Sequence, residues 1–407
     1  MAEDLQSEES LLPSDCDALT IDTNILSNAG YSVESGLLAQ LEQFESSDVE
    51  LVFSDIVRQE IRSQSHLPKK IKDARAELEK AIRNGSRERL IVETQAEQAR
   101  VLLANGKSDQ EIADERLNAF MKRCGATIVD SSGVTLKEVT DMYFASQPPF
   151  EEAGEKKSEF PDAIALLSLE RWARDNKKKI LAVSKDKGWK AFCDRSEFLE
   201  HTFNLPDALA YFQPHNRVKQ FSRELNDAIA TDVDVNGILT SIKEFIKEHV
   251  ENMEVDVEAT SRFYYEASDV HAIYEGHEFL TFTRDQIDLD VVRVTSEVVV
   301  VRLIANIECA VRASFSLSMT DPIDKDEVNM GSRDSQTNSC FIAEVLVSFE
   351  GNFSVGLKGV AVQGVEVVDD MPTVEFGEIE LNYDRDADDE DYMDYLREEY
   401  ERKKKGG

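Results

Sequence analysis

The chain predicts an α/β fold followed by a β-rich one. The α/β part reads as a parallel sheet with helices on both faces and a helical insertion. A helical connector and a separate antiparallel β-rich domain come after it. Three observations carry this. Short apolar runs at 18–22, 49–53, 126–129 and 179–183 alternate with helix-periodic stretches, the pattern of a parallel sheet. Acidic residues fall just past strand ends or in the helices that follow, where open α/β sheets bind ligands. From about 253 to 383, apolar and polar residues alternate with period two, as antiparallel strands do.

Taken in order, residues 1–17 are acidic and Ser-rich and read as disordered. Ala18 to Asp22 is a strand. Leu37, Leu38, Leu41 and Phe44 at helical spacing predict a helix near 34–45. Val49 to Phe53 is a second strand, and Ser54 caps a helix running to about 63. Pro68 opens a long helical stretch to about 123, with breaks expected at Asn84-Gly85 and Asn105-Gly106. A strand at 126–129, a helix near 135–145 and a polar loop over 147–158 follow. Pro161 starts a helix to about 175, and 179–183 is a further strand.

Beyond Pro214 the pattern changes. Residues 217–250 read as two amphipathic helices. Runs such as 298–303 and 340–347 alternate as in a β-sandwich or barrel-like domain. Gly351-Asn352 suits a hairpin turn, and 320–338 reads as a long polar loop. Asp285, Asp288 and Asp290 lack the Gly and Glu of an EF-hand and read as turn acids. His271 and His277 read as structural or exposed. The tail from 384 is charged.

The 407 residues suit two or three domains. The divisions expected are 1–17, 18–214 with an insertion at 68–123, 215–252, 253–383 and 384–407. No apolar run approaches a membrane span, and the acidic N-terminus has no signal-peptide pattern. Five scattered cysteines without a CxxC pair suit reduced thiols and a cytoplasmic location. A net charge of −35 argues against nucleic acid at first sight. Its distribution changes the reading. Residues 1–50 hold 12 acids and no base, 51–200 hold 26 acids and 27 bases, and 216–407 hold 42 acids and 19 bases.

Four carboxylates stand out: Asp22 in Ile21-Asp22-Thr23-Asn24, Glu60 in Arg58-Gln59-Glu60, Asp162 in Pro161-Asp162-Ala163, and Asp186 in Ser184-Lys185-Asp186. Any one alone reads as a helix cap, a turn residue or a solvated acid. Together they suit Mg²⁺ or Mn²⁺, which take oxygen ligands and keep several waters. Paired ions of this kind cut phosphodiesters by activating water and stabilising the leaving oxygen. An aspartyl-nucleophile phosphatase pattern fails, because Asn24 stands where the second Asp belongs. No phosphate-binding or dinucleotide glycine motif and no GxSxG elbow occurs.

In this order and setting the four motifs resemble those of PIN domains, metal-dependent ribonucleases of the 5′-nuclease group. The resemblance covers residues 18–212 and leaves 216–407 unassigned. It implies that Asp22, Asp162 and Asp186 coordinate Mg²⁺ or Mn²⁺, and that Glu60 does so directly or through water. Asn24 and Ser184 would orient those ligands. It implies hydrolysis of RNA, with single-stranded DNA as a further substrate, leaving a 5′-phosphate and a 3′-hydroxyl. Family settings include RNA turnover, toxin modules and phage defence. The alternative is a catalytically silent scaffold that binds RNA or protein. The long helical insertion between the second and third motifs departs from a compact PIN domain.

Two basic clusters suit phosphate backbones. One runs from Lys69 to Arg89 on the insertion. The other comprises Lys177, Lys178, Lys179, Lys185, Lys187 and Lys190. Ordinary helix pairing accounts for the first slightly better, and a helix C-terminus satisfied by cations is an alternative for Lys177, Lys178 and Lys179. Trp189 reads as core before it reads as a stacking platform, and Asp194 as a surface acid. The β-rich part, acidic and without a catalytic constellation, suits a protein partner, a regulatory role or an oligomer contact.

Overall fold

The structure, a computed structural model, describes residues 16–380 except Gln64, Asn105, 151–158, Pro214, 284–285 and 321–325. The N-terminal acidic segment up to residue 15 and the tail from 381 lie outside the described residues. So do Asp285 and part of the expected 320–338 loop. Two units emerge. The first holds residues up to 226 together with 289–302 and 346–363, and the second holds 227–288, 303–345 and 364 onward.

In the first unit, β1 (Ala18–Ile21) leads into α1 (Thr23–Asn28) and α2 (Gly36–Ala39). The helix expected near 34–45 is thus one short turn continued as a 3-10 segment, Gln40–Ser46. β2 (Glu50–Ser54) is followed by α3 (Asp55–Ile61), whose first turn is capped by Ser54 Oγ accepting from Ile56 N–H. The insertion comprises α4 (Leu67–Arg87), α5 (Glu93–Ala104) and α6 (Asp109–Arg123). α4 runs through Asn84-Gly85, where the sequence predicts a break. A single helical glycine costs only about 1 kcal/mol, and the Gly85 carbonyl closes the turn beyond by accepting from Leu90 and Ile91.

β3 (Thr127–Val129), α7 (Leu136–Phe144), α8 (Phe160–Asn176) and β4 (Ile180–Val183) follow. Then come α9 (Lys187–Cys193), β5 (Leu199–Thr202) and α10 (Leu205–Tyr211). The strands order as β3-β2-β1-β4-β5, all parallel. β5 goes beyond the sequence reading; Leu199-Glu200-His201-Thr202 has only two buried positions and no apolar run. The central strands β1 and β4 are buried at every residue, as a sheet covered on both faces requires. α8 packs on β2 and β3, and α10 on β4 and β5.

α11 (His215–Thr231) and α12 (Ile238–Glu251) match the amphipathic pair expected. The strands after them are β6 (Val257–Thr260), β7 (Tyr264–Phe279), β8 (Thr281–Thr283), β9 (Gln286–Ile287), β10 (Leu289–Val294), β11 (Val298–Thr320), β12 (Glu327–Gly351), β13 (Val360–Val367) and β14 (Val374–Glu378). β10-β11-β12-β13 are neighbours in one sheet, with β7 also pairing β11 antiparallel. The expected 320–338 loop is strand from Glu327 on. Its polar side chains pair across to β11, as Arg312–Gln336, Ser314–Asp334 and Ser318–Glu327. β14 and β6 pair parallel, against the antiparallel expectation.

Gly351-Asn352 does not make a two-residue hairpin. Asn352 N–H donates to Gly359 O at 2.9 Å, closing a 3-10 loop, Phe353–Gly359. Gly351 has φ +139°, and a Cβ there would stand 2.3 Å from Gly359 O. In the second unit His277 is half-buried and hydrogen-bonded with the Tyr274 hydroxyl at 2.6 Å. Burial, with Lys243 nearby, pushes it down to about 4.

β10 belongs to the first unit. Its Val292 carbonyl accepts from Gln43 Nε2 at 3.0 Å and from Gln213 Nε2 at 3.3 Å. Asp290 pairs with Arg302, itself only 12% exposed. Among the described residues no helix is long and apolar enough to cross a membrane.

Candidate active site

Parallel pairing of β1 with β4, in the register Ile21↔Val183, sets the residues after the two strands side by side. Asp22 is 5% exposed. Its Oδ2 accepts from Ser184 Oγ at 2.6 Å and from Asn24 Nδ2. Asn24 also donates to Ser184 Oγ at 3.1 Å, and its Oδ1 accepts from Lys185 N–H. Asp22 is the residue before α1, yet its side chain caps nothing there. It is turned toward β4.

Glu60 lies on α3. Its Oε2 accepts from Thr23 Oγ1 at 2.7 Å, so the residue next to Asp22 fixes the second carboxylate. Asp162 lies in the first turn of α8. Its Oδ1 accepts from Trp189 Nε1 at 2.8 Å, and Trp189 is fully buried. Trp189 is therefore core, as the sequence suggests, and it also orients a carboxylate. Asp186 precedes α9 and accepts from Gly188 N–H at 2.6 Å and Trp189 N–H at 3.1 Å. A Cβ on Gly188 would come within 2.8 Å of Asp186 Oδ1 and 3.0 Å of Pro149. A larger residue there would displace that carboxylate or the 147–150 turn.

Electrostatics tie these acids together. Burial, against the Ser184 bond and helped by the charges on Asp162 and Glu60, raises Asp22 from about 3.8 to about 7. Burial likewise raises Asp162 to about 6, against the Trp189 bond, with Glu60, Asp186 and Glu159 adding to the rise. The charged groups acting on both are carboxylates. Such a neighbourhood is costly unless protons or cations enter it. An all-oxygen donor set of this charge fits Mg²⁺ or Mn²⁺. As they stand, no three His, Cys, Asp or Glu side chains among the described residues are gathered tightly enough to hold an ion by themselves. Ions that retain several waters suit such a loose set.

The lysines divide. Lys177, Lys178 and Lys179 precede β4 and so stand at the amino end of the sheet, one strand length from Ser184 at its carboxyl end. There Lys178 pairs with Glu50 and Lys179 with Glu200. Nearness in sequence hides a reversal across a four-residue strand. Lys190 pairs with Asp194 on the surface. Lys185 and Lys187 are exposed at the carboxyl end, and among the described residues neither side chain has an ion-pair or hydrogen-bond partner. On the insertion, Arg75 pairs with Asp109, Lys80 with Glu77 and Arg87 with Glu88.

Three residues near the site carry no sequence signal for it. Thr23 sits inside the first motif with nothing to mark it as a donor to Glu60. Trp189 draws attention for its ring and not for its N–H. His201 lies on the unexpected β5 and donates Nε2–H to Ser184 O at 2.8 Å.

A PIN domain family model matches residues 19–189. That span contains all four carboxylates. PIN domains belong to a nuclease superfamily and typically depend on divalent metal. No curated protein and no solved structure matches the chain.

Proposed function

We propose, from the premise that residues 19–189 are a PIN domain, that this chain hydrolyses RNA phosphodiester bonds at the carboxylate cluster. The observation that carries the reading is the pair Asp22 and Asp162. Asp22 is buried and Asp162 half-buried, they come from distant segments, and burial, with neighbouring carboxylates adding to it, raises them to about 7 and about 6.

Asp22, Asp162 and Asp186, with Glu60, would hold Mg²⁺ or Mn²⁺. Such an ion supplies an activated water and neutralises charge on the phosphate. The chain's own work is placement. Ser184 and Asn24 aim Asp22 by donating to Oδ2. Thr23 aims Glu60, and Trp189 aims Asp162. The backbone at Gly188 and Trp189 fixes Asp186. Lys185 and Lys187, without side-chain partners among the described residues, offer positive charge at the carboxyl end of the sheet, where a phosphate backbone must be held. Single-stranded DNA is a second substrate of the same chemistry.

A catalytically silent scaffold is the competing reading, favoured by the loose spacing of the acids. A labelled single-stranded RNA incubated with Mn²⁺ separates the two. Cleavage that stops with EDTA and is lost in Asp22→Asn and Asp186→Asn supports hydrolysis. Equal cleavage by wild type and both variants refutes the metal mechanism, and no cleavage by wild type in any divalent metal supports the scaffold. The β-rich segments, acidic in sequence, suit a protein partner or a regulatory contact better than nucleic acid.

A further inference from the structure

We propose that Phe203 is a base-stacking residue that takes one base of the strand crossing the site. The inference rests on the nucleic-acid reading above and adds to it a residue that holds a base.

Phe203 immediately follows β5, and its side chain is left 41% exposed. β5 is an edge strand paired with β4, in the register Val183↔Thr202. Ser184 N–H donates to Thr202 O at 3.1 Å. Phe203 and Ser184 therefore leave adjacent strands at the same end of the sheet, about 4.8 Å apart in the pairing direction. Ser184 is the residue that holds Asp22.

The ring is braced. His201, two residues earlier on the same face of the strand, meets it edge-on with centroids 4.6 Å apart and planes at 82°. His201 is in turn pinned to Ser184 O. An edge-on neighbour supports a ring while leaving a face open. Lys185 and Lys187 leave the neighbouring strand beside it, exposed and without side-chain partners among the described residues. An open aromatic face next to such cations and an acidic centre suits one occupant, a nucleotide whose base stacks while its phosphates meet lysine. Bases in a duplex are already stacked on their neighbours and present no free face.

The test is binding, so it does not depend on cleavage. Full-length wild type, Phe203→Ala and Phe203→Trp are titrated against a fluorescein-labelled oligouridine, an abasic strand of the same length and an RNA duplex, with Ca²⁺ present. Loss of one stacked base weakens binding about tenfold. The expected result is that loss in Phe203→Ala on oligouridine, little change on the abasic strand, and recovery in Phe203→Trp. Equal weakening on oligouridine and the abasic strand assigns Phe203 to folding and overturns the proposal. So does preference for the duplex, and so does no binding of oligouridine by wild type. Oligouridine binding without cleavage in Mn²⁺ would defeat the hydrolytic reading and leave the stacking residue standing.

Discussion

Trp189 Nε1 donates to Asp162 Oδ1 at 2.8 Å, and this bond joins the helix that follows the fourth motif to the first turn of the helix carrying the third. A fully buried indole thus gives one wall of the candidate site both its packing and its orientation. The same residue's backbone N–H holds Asp186, so one side chain and one peptide of Trp189 serve two carboxylates.

Replacing Trp189 by Phe keeps an aromatic core residue and removes the donor. The freed carboxylate loses the bond that lowers it and rises further. Mn²⁺ affinity, read by titration calorimetry, is expected to fall about 10- to 100-fold, the usual effect of losing a group that orients a ligand. Unchanged affinity would remove Asp162 from the ligand set.

Asp22→Asn should stabilise the metal-free protein at high pH. The folded-state value is raised from about 3.8 to about 7, so the folded chain binds the proton more tightly than the unfolded one. Stability from this group is present in full below about 3.8, declines as pH rises and is lost above about 7. The difference is on the order of 4 kcal/mol at most. Urea unfolding in EDTA should find Asp22→Asn more stable than wild type at pH 8 and equal to it at pH 3. A variant less stable at pH 8 contradicts the cause assigned to the shift.

Mn²⁺ should raise the melting temperature of wild type and leave that of Asp22→Asn in place. At 100 times the Kd, binding contributes about 2.7 kcal/mol. The effect should fade as pH drops through about 7 and then about 6, because Asp22 and Asp162 take up protons there. Thermal melts at pH 5.5 and 8 read both statements.

Thr23→Val removes the hydroxyl that donates to Glu60 Oε2 with little change of shape. Catalysis should fall about tenfold or more, while stability changes by about 1 kcal/mol. A large loss of stability with normal turnover per folded molecule would make Thr23 a packing residue.

Gly188→Ala places a Cβ 2.8 Å from Asp186 Oδ1 and 3.0 Å from Pro149. Either the carboxylate or the 147–150 turn must give. Mn²⁺-dependent cleavage should fall sharply with helix content by circular dichroism unchanged.

The parallel sheet is legible in the sequence because its inner strands are mostly apolar and buried at every residue, and each is flanked by helix signals. Asp22, Asp162 and Asp186 stand out in the sequence as candidates because strand ends and helix starts of a parallel sheet lie at one edge, whereas Glu60 sits in the last turn of α3. β5 is not legible: an edge strand with two polar, half-buried residues carries neither an apolar run nor clean alternation. Nor is the position of Lys177–Lys179, since proximity in sequence to Asp186 says nothing about which end of an intervening strand they occupy. Trp189, Thr23 and His201 act through single hydrogen bonds across 27, 37 and 17 positions, and no local pattern encodes those. In the C-terminal half, period-two alternation indicates strands but no pairing partners, so the parallel β6–β14 pair has no signature in the sequence.

The Val292 carbonyl, held by the amides of Gln43 and Gln213, has a consequence for how the molecule is made. The first unit draws on residues as late as Gln363. A ribosome has therefore translated most of the chain before this unit has all its parts. A fragment stopped at 214 would carry all four acids, yet it would expose the surface of α10 that β10 covers and leave the Gln43 amide with Gln40 O as its one remaining acceptor among the described residues. Completion of the first unit therefore waits on segments that are translated long after the four acids.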